Sequence, residues 1–432
     1  MRKAIKIFVL IFLLIIIVSA VLVVDLSPSV DANTPEQVNN ADTVQPLIDE
    51  LRQSLRSRYE AQQINVSDVQ ANSLAGFIHR AIDSANAQVS FVDKKIIVAG
   101  TYQVDTGLFP VYLNIEVNLL EGQGFKVDYV KVGDIRLPGD FALGIAEYVA
   151  NTYTSSTVAT IAIESVSSLA VSNNGVQISL EPLDSLLREF KNIETGGSRQ
   201  DTRVLKIRIA HYLRFLDGMY VPPAPNDASG PSLSYYLQGA MQEAAVLSQQ
   251  SSATLENEAA ILAVAIYAGS VRFTTLIGDL SFAIDRIPYA FPKPVLNKRQ
   301  DLSLHFIFSA AIKLLSQKGI SIAVGEFKEL MDRGNGGSGF SFVDLAADLS
   351  GTHFAELALD PKRALKVQEI MATEANENLF MVSIEGLDEG LSKVQFTDQY
   401  GTVDSDLYRK VVAEINKRIN ALPIADEVQI NN

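Results

Sequence analysis

Residues 111–119, Val-Tyr-Leu-Asn-Ile-Glu-Val-Asn-Leu, decide the fold of the first half of the chain. Apolar residues occupy every odd position of this stretch, and polar or aromatic residues occupy every even one. Successive side chains of a strand point to opposite faces of a sheet, so the alternation predicts a half-buried β-strand. Phe125 and Val127 continue the pattern, and the change of phase at Val130 predicts a β-bulge.

The segments around this strand carry the signals of helices and hairpins. They are a capping box at Ser67–Gln70 before an apolar stripe at 71–85, Pro138 before a helical pattern at 140–153, β-rich residues at 158–171, and the turn pair Asn174-Gly175. Antiparallel strands packed with helices form the α+β class, which we expect over residues 63–185.

The second half of the chain has the period of helices. We expect a linker at 186–200, around Gly196-Gly197, and a mainly α-helical domain at 201–380. The segments with helical periodicity are 202–219, 232–248, 255–277, 302–318, 322–333 and 342–357. The apolar run 259–268 is too short to span a bilayer and predicts a buried core helix. Residues 381–432 are expected to form a C-terminal tail with a closing helix at 404–422.

The first 24 residues predict a location. Arg2, Lys3 and Lys6 precede an apolar run, Ile7–Val24, that is interrupted only by Ser19. As a helix this run rises about 27 Å, close to the roughly 30 Å core of a bilayer. It predicts an N-terminal membrane anchor helix, with a cleaved signal peptide as the alternative. A basic end that stays in the cytoplasm implies a single-pass protein of the inner (cytoplasmic) membrane with its body in the periplasm.

Composition excludes several classes of function. The chain has 432 residues, no Cys and a formal net charge of −14. Disulfides, thiolate metal sites and cysteine nucleophiles are therefore excluded. An acidic chain without basic tracts is a poor ligand for nucleic acid, so we expect no DNA or RNA partner. Residues 25–62 are expected to form a polar spacer and a helix.

Three residues between 301 and 354 are the candidate site: His305, Glu326 and Asp348. His305 lies in an apolar helix, Glu326 follows the small residue Gly325, and Asp348 lies between Ala347 and Leu349. A charge among apolar neighbours costs free energy unless it is paired or binds something. We therefore expect these side chains to converge between packed helices.

The residue types leave the role of this site open. Facing helices with carboxylates and one His can hold a divalent metal or form a general acid/base pair. A buried ion network with Lys313, Lys328 or Arg333 is a third interpretation. Asp344 is explained by a capping box that begins at Ser341. The sequence identifies neither a metal nor a cofactor.

A turn in the first half carries a resemblance. Val132-Gly133-Asp134-Ile135-Arg136-Leu137-Pro138, with the helix 72–85 and the strand 112–119, resembles the YpmS-type extracytoplasmic proteins. The resemblance covers residues 63–185 and implies a domain like the tubular lipid-binding domains, with an apolar groove for an acyl chain. The alternation alone is equally typical of an ordinary α+β core.

A second resemblance covers residues 300–355. Its motif is His305-Phe306 with Ser309, then Gly325–Leu330 with Asp332, then Gly339–Phe342 with Asp344, Leu345 and Asp348. This order resembles the YfiM-type bacterial envelope proteins and implies location in the envelope more than a reaction. The family has Asp-Lys before the His, whereas this chain has Asp301-Leu302-Ser303-Leu304.

Together these patterns predict a membrane-anchored bacterial cell-envelope protein that binds lipid or a protein partner at the membrane. The alternative is an envelope hydrolase that uses His305, Glu326 and Asp348. A structural assembly factor without an activity of its own is the third hypothesis.

Overall fold

The chain folds as an α+β protein with antiparallel sheets. The computed structural model describes residues 22–30, 41–82, 84–107, 109–154, 156–192, 199–315, 339–403 and 405–425. The chain forms two compact units, one up to Ile193 and one from Glu194 onward. We call the described residues of the first the sheet unit and those of the second the helical unit. The finer domain boundaries expected from sequence stay predictions.

The larger sheet of the sheet unit is built around the predicted strand. Its described strands are β1 (Val24–Asp25), β3 (Ala85–Val92), β4 (Lys95–Asp105), β5 (Pro110–Leu120), β7 (Lys126–Val132) and β8 (Ile135–Pro138). They pair antiparallel in the order β3-β4-β5-β7-β8, and β1 also pairs with β5. After β1, the backbone N–H of Val30 donates to the Thr101 hydroxyl at 3.0 Å, which ties residues 24–30 to the sheet.

A second antiparallel sheet packs against the first. Its described strands are β2 (Gln62–Ser67), β6 (Gly122–Gln123), β9 (Val166–Ser172) and β10 (Gly175–Leu180). They pair in the order β2-β10-β9-β6. Phe91 and Ile96 of the larger sheet form a buried cluster with Leu169 and Val176 of the smaller one. The core of the sheet unit therefore lies between the two sheets.

Five α-helices with both ends described and a 3₁₀ turn at Ala41–Val44 complete the described part of the sheet unit. The helices are α1 (Gln45–Arg56), α2 (Asp68–Ala81), α3 (Gly139–Thr154), α4 (Val158–Glu164) and α5 (Asp184–Asn192). Helix α5 occupies the first part of the linker expected at 186–200, and residues 193–198 lie outside the described residues. Helix α2 ends at Ala81 rather than 85, because β3 begins at Ala85.

The predicted bulge is present, and one predicted strand is partly wrong. Tyr129 pairs with Asn118 and Val127 with Leu119, so Asp128 is the extra residue of the bulge. The prediction of β-structure at 158–171 holds only from Val166, since 158–164 form α4. Asn151 at the end of α3 accepts a hydrogen bond from the Ala159 backbone at 2.9 Å, which supports the first turn of α4. This tertiary contact outweighs the β propensity of the segment.

The predicted capping box at the start of α2 is confirmed, and its contribution to stability can be measured. The Ser67 hydroxyl accepts from the Gln70 backbone at 3.2 Å, and the Gln70 side chain accepts from the Ser67 backbone at 2.9 Å. We expect Ser67→Ala to lower the free energy of unfolding of the sheet unit by about 1 kcal/mol in urea titrations. Ser57→Ala at the end of α1 is the control. A Ser67→Ala variant as stable as this control would contradict the prediction.

The helical unit consists of helices around one buried helix. Its described helices are α6 (Arg199–Gly218), α7 (Leu233–Leu247), α8 (Ala253–Val264), α9 (Thr274–Ile277), α10 (Gln300–Leu315), α11 (Phe342–Leu359), α12 (Ala364–Thr373), α13 (Lys393–Tyr400) and α14 (Asp406–Asn420). Helix α8 continues into a π-helical turn, Ala265–Gly269. Residues 259–268 are buried, as predicted for a core helix. The helix predicted at 322–333 lies outside the described residues.

The prediction of an N-terminal membrane anchor is contradicted. Val24, the last residue of the expected span, lies in strand β1 opposite Leu113 and not in a helix. Among the described residues no helix is long and apolar enough to cross a membrane. Residues 1–21 lie outside the described residues. The finding corrects four linked predictions: a transmembrane helix, a signal anchor, membrane attachment through this segment, and a single-pass inner-membrane location.

Candidate functional site

Helices α10 and α11 cross at close range, and the crossing positions the predicted site. At Gly351 of α11, a side-chain Cβ would lie 2.0 Å from the Phe306 carbonyl oxygen of α10. A residue without Cβ is required where two backbones approach so closely. The Phe306 ring packs against Phe354 and Phe380, with centroids 5.7 and 5.0 Å away. The predicted site residues meet beside this apolar contact.

His305 and Asp348, two of the three predicted site residues, are in contact. His305 Nδ1 lies 3.1 Å from Asp348 Oδ2, and the Ser309 hydroxyl donates to Asp348 Oδ1 at 2.6 Å. Ser309 follows His305 by four residues, so one turn of α10 presents both side chains to the same carboxylate. The Asp348 side chain is 6% exposed. A carboxylate so deeply buried is tolerated because it is paired and hydrogen-bonded.

A second carboxylate faces the other edge of the imidazole. Asp344 lies one turn before Asp348 on α11, and its Oδ2 is 3.7 Å from His305 Nε2. The Asp344 backbone N–H donates to the Ser341 hydroxyl at 3.0 Å, which is the predicted helix cap. Asp344 therefore takes part in the cap at the start of α11 through its backbone and places a carboxylate beside His305 through its side chain.

Arg299 adds a permanent positive charge next to this pair. Its guanidinium lies 3.7 Å from Asp344 Oδ1. Hydrogen bonds to Asp301 and Glu389 raise the pKa of Arg299 above its ordinary value, so the group stays charged. The described cluster thus combines two buried carboxylates, one imidazole and one guanidinium.

The geometry suits an Asp–His pair better than a serine nucleophile. Asp348 binds Nδ1 and so directs Nε2 of His305 toward Asp344. Ser309 donates its hydroxyl proton to the carboxylate, whereas a serine nucleophile donates that proton to the base. Within the described part of the chain, no group of three or more His, Asp or Glu side chains is arranged to hold a metal ion.

The third predicted residue, Glu326, lies in the stretch 316–338, outside the described residues. Lys328 and Arg333, expected as partners in an ion network, lie in the same stretch. Lys313 lies 3.8 Å from Glu356, two turns beyond Asp348 on α11, and so belongs to a neighbouring ion pair.

The sequence analysis missed another buried charge, Glu256 in the first turn of α8. Glu256 is fully buried; its Oε2 accepts from the Tyr212 hydroxyl at 2.9 Å, and its Oε1 lies 3.3 Å from Arg208 Nε. Burial and the Glu256 charge raise the pKa of Tyr212, so this phenol stays a donor. Arg208 and Tyr212 lie four residues apart and so share one face of α6. This spacing, next to an apolar helix that contains Glu256, could have indicated the buried charge from sequence.

Helix α3 of the sheet unit exposes an apolar face that the sequence analysis also missed. Successive members are four, three, one and four residues apart, and this spacing places all five on one side of the helix. They are Phe141, Ile145, Tyr148, Val149 and Tyr153, and they are 47–72% exposed. We call this set the α3 face. Gly139 is the single buried residue of α3.

An acidic cleft lies next to the α3 face. It has a volume of about 660 Å³, and its lining includes Glu147, Tyr148, Asn151 and Glu189. The Thr160 hydroxyl donates to Glu147, and the Thr157 backbone donates to Glu189 at 2.8 Å, so both carboxylates are held in place. From Leu137 to Leu187 the sequence contains five Asp or Glu residues and no Lys, Arg or His. Residues 137–187 therefore carry only negative side-chain charge, and the first basic residue after them, Arg188, forms an ion pair with Asp184.

The apolar face of β5, predicted to line a lipid groove, is only partly covered. Ile115 is 39% exposed, and its neighbours Leu113 and Val117 are half-buried. The polar face of the same strand contains Asn118, which is 2% exposed and donates to Glu116 at 2.8 Å. Both faces of β5 are thus partly covered, and lipid binding in a groove stays a prediction.

Comparisons with known proteins give no further identification. No protein-family model, no curated protein and no solved structure matches this chain. The resemblances to the YpmS-type and YfiM-type proteins stay predictions, and function is argued from the geometry of the two units.

Proposed function

We propose that the sheet unit is a binding module that holds a protein partner on the α3 face. The observation that carries the proposal is the set of five large apolar side chains exposed on one side of a single helix. Two of them, Tyr148 and Tyr153, are of the residue type that is enriched at the centre of protein interfaces. Exposed apolar patches of this kind mark interaction sites.

The charge around the α3 face defines the chemistry of the partner. The face borders a cleft with two fixed carboxylates, Glu147 and Glu189, and no basic side chain is among the described residues that line it. A partner that presents an apolar helix face flanked by Lys or Arg would match both features. An anionic lipid surface would be repelled by the same charges. The proposed partner is therefore a basic amphipathic segment of another protein.

A cationic amphipathic peptide tests this proposal. We expect a fluorescein-labelled helical peptide of Leu and Lys to bind the full chain at physiological ionic strength, measured by fluorescence anisotropy. A double change, Tyr148→Ser with Tyr153→Ser, should weaken the affinity at least about tenfold, since exposed aromatic anchors dominate such contacts. Both substitutions leave the net charge unchanged, so a loss of binding reports on the apolar contact.

Three controls make the result specific. Tyr220→Ser removes a comparably exposed Tyr from the helical unit and should leave the affinity unchanged. A Leu and Glu peptide of the same length should bind at least about tenfold more weakly, because it meets like charge. Equal binding by the double variant, or binding of zwitterionic phospholipid vesicles instead of the Lys peptide, would contradict a protein partner on the α3 face.

A second candidate function is a hydrolase centred on His305 and Asp348 in the helical unit. The specific observation in its favour is the contact of Asp348 with Nδ1, which orients the ring as in a general base held by a carboxylate. On this hypothesis His305 accepts a proton at Nε2 from a water molecule, and Asp348 stabilises the resulting imidazolium. Glu326, the third residue predicted from sequence, would supply a further carboxylate.

A further inference from the structure

A cleft in the helical unit is formed where four segments meet. They are residues 223–230, the start of α7 with its cap at 232–235, the turn at Asn297–Lys298, and residues 374–378 after α12. The cleft has a volume of about 700 Å³. Pockets for small ligands usually have volumes of about 300–1,000 Å³. We call this feature the α7 cleft.

Glu377 holds the walls of the α7 cleft together. Its Oε1 accepts from the Ser232 hydroxyl at 2.5 Å, and its Oε2 accepts from the Asn297 backbone at 2.8 Å. One carboxylate thus connects three of the four segments. Asn297 and Lys298 both have left-handed backbones, with φ of 48° and 62°, and Leu296 and Arg299 pair across the turn. Such a conformation is uncommon outside glycine and is held here by tertiary contacts.

Each charged group of the α7 cleft has a hydrogen-bond or ionic partner. Glu377 has its two donors, Lys298 forms an ion pair with Asp227, and Glu374 accepts from the Asn376 amide at 2.9 Å. These charged groups hold the walls of the cleft in place, and the neutral groups of its lining remain for a ligand.

Uncharged hydrogen-bonding groups remain for a ligand. Within the part of the chain that the structure describes, the side-chain amides of Asn297 and Asn378 and the Tyr235 hydroxyl have no hydrogen-bond partner, and all three residues line the cleft. An amide offers a donor and an acceptor side by side, which matches neighbouring hydroxyls on a ring. Pro223 and Pro225 add flat apolar surface to the same cleft.

We propose that the α7 cleft binds a neutral carbohydrate. A sugar ring combines adjacent hydroxyls with apolar C–H surface, and the lining supplies a partner for each. This site is in the helical unit and does not depend on the partner proposed for the α3 face. Isothermal titration of the full chain with chitotriose, cellotriose and maltotriose tests the proposal, and we expect at least one of them to bind.

The Asn378→Ala change locates the binding. Its amide has no partner to lose in the described structure, so the melting temperature should stay the same while affinity for the trisaccharide falls about tenfold. Asn420→Ala, which removes an exposed amide at the end of α14, should change neither. Tyr235→Phe removes only a hydroxyl and serves as a second test should the first variant fold poorly. Affinity unchanged in both variants, no binding of any of the three sugars at millimolar concentration, or binding of a proline-rich peptide instead would overturn the proposal.

Discussion

Replacing Asp348 with alanine should lower the free energy of unfolding of the helical unit by about 3–5 kcal/mol, the range for breaking a buried charge pair. The change removes the acceptor that Ser309 and His305 share. The side chains of His305 and Asp348 are 11% and 6% exposed, so water cannot easily replace the carboxylate. Urea unfolding of the full chain, followed by circular dichroism, measures the loss.

Asp348→Asn separates stability from chemistry at the same position. The amide oxygen can still accept from Ser309, and its N–H can donate to Nδ1 of a neutral His305, so stability should stay within about 1 kcal/mol of the unchanged protein. A hydrolase that needs the carboxylate to stabilise an imidazolium would lose activity in this variant. An alanine variant with unchanged stability would contradict the pairing. An equal loss in the asparagine variant would show that the charge itself stabilises the fold.

Gly351→Ala should destabilise the helical unit by about 3 kcal/mol or more. The added methyl group would lie 2.0 Å from the Phe306 carbonyl oxygen, and this contact is with backbone, which no rotamer change can relieve. Helices α10 and α11 would have to separate, and the packing around Phe306 would loosen. Ordinary overpacking by a methyl group costs about 1–3 kcal/mol, so the expected loss is at or above that range. Denaturant unfolding gives the value.

Gly144→Ala is the matched control for this prediction. Gly144 also lies within a helix, α3, but nothing lies within 4 Å of its added Cβ. The substitution should stabilise the sheet unit by about 0.5–1 kcal/mol, because alanine has the higher helix propensity. If the two substitutions change stability alike, the close approach of α10 and α11 is wrong.

The parts of the fold that could be predicted depend on local patterns. The alternation at 111–119 gave strand β5, Ser67 and Ser341 gave two helix caps, and the apolar run 259–268 gave a buried helix. Each signal is complete within about ten residues. Helix α4 could not be predicted in this way, because its first turn depends on Asn151 of the preceding helix. Contacts of that kind determine whether a segment of β-forming residues becomes a strand or a helix.

The candidate sites likewise differ in whether local sequence patterns could predict them. His305 and Asp348 were predicted to meet because each is a polar side chain among apolar residues and must find a partner. Glu256 was not recognised, since its partners Arg208 and Tyr212 are on a helix distant in sequence. The α3 face could not be predicted either, because an apolar stripe has the same period whether it is buried or exposed.

The position of residues 24–30 determines where the protein can be shortened for experiments. A truncation that starts at residue 26 removes strand β1 and with it Asp25, which accepts a hydrogen bond from the Asn114 amide at 2.7 Å. A truncation that starts at residue 31 also removes Val30, whose side chain is buried and whose backbone binds Thr101. Shortened proteins that preserve the sheet unit should therefore begin no later than Leu22, and any affinity tag should be placed at the C-terminal end.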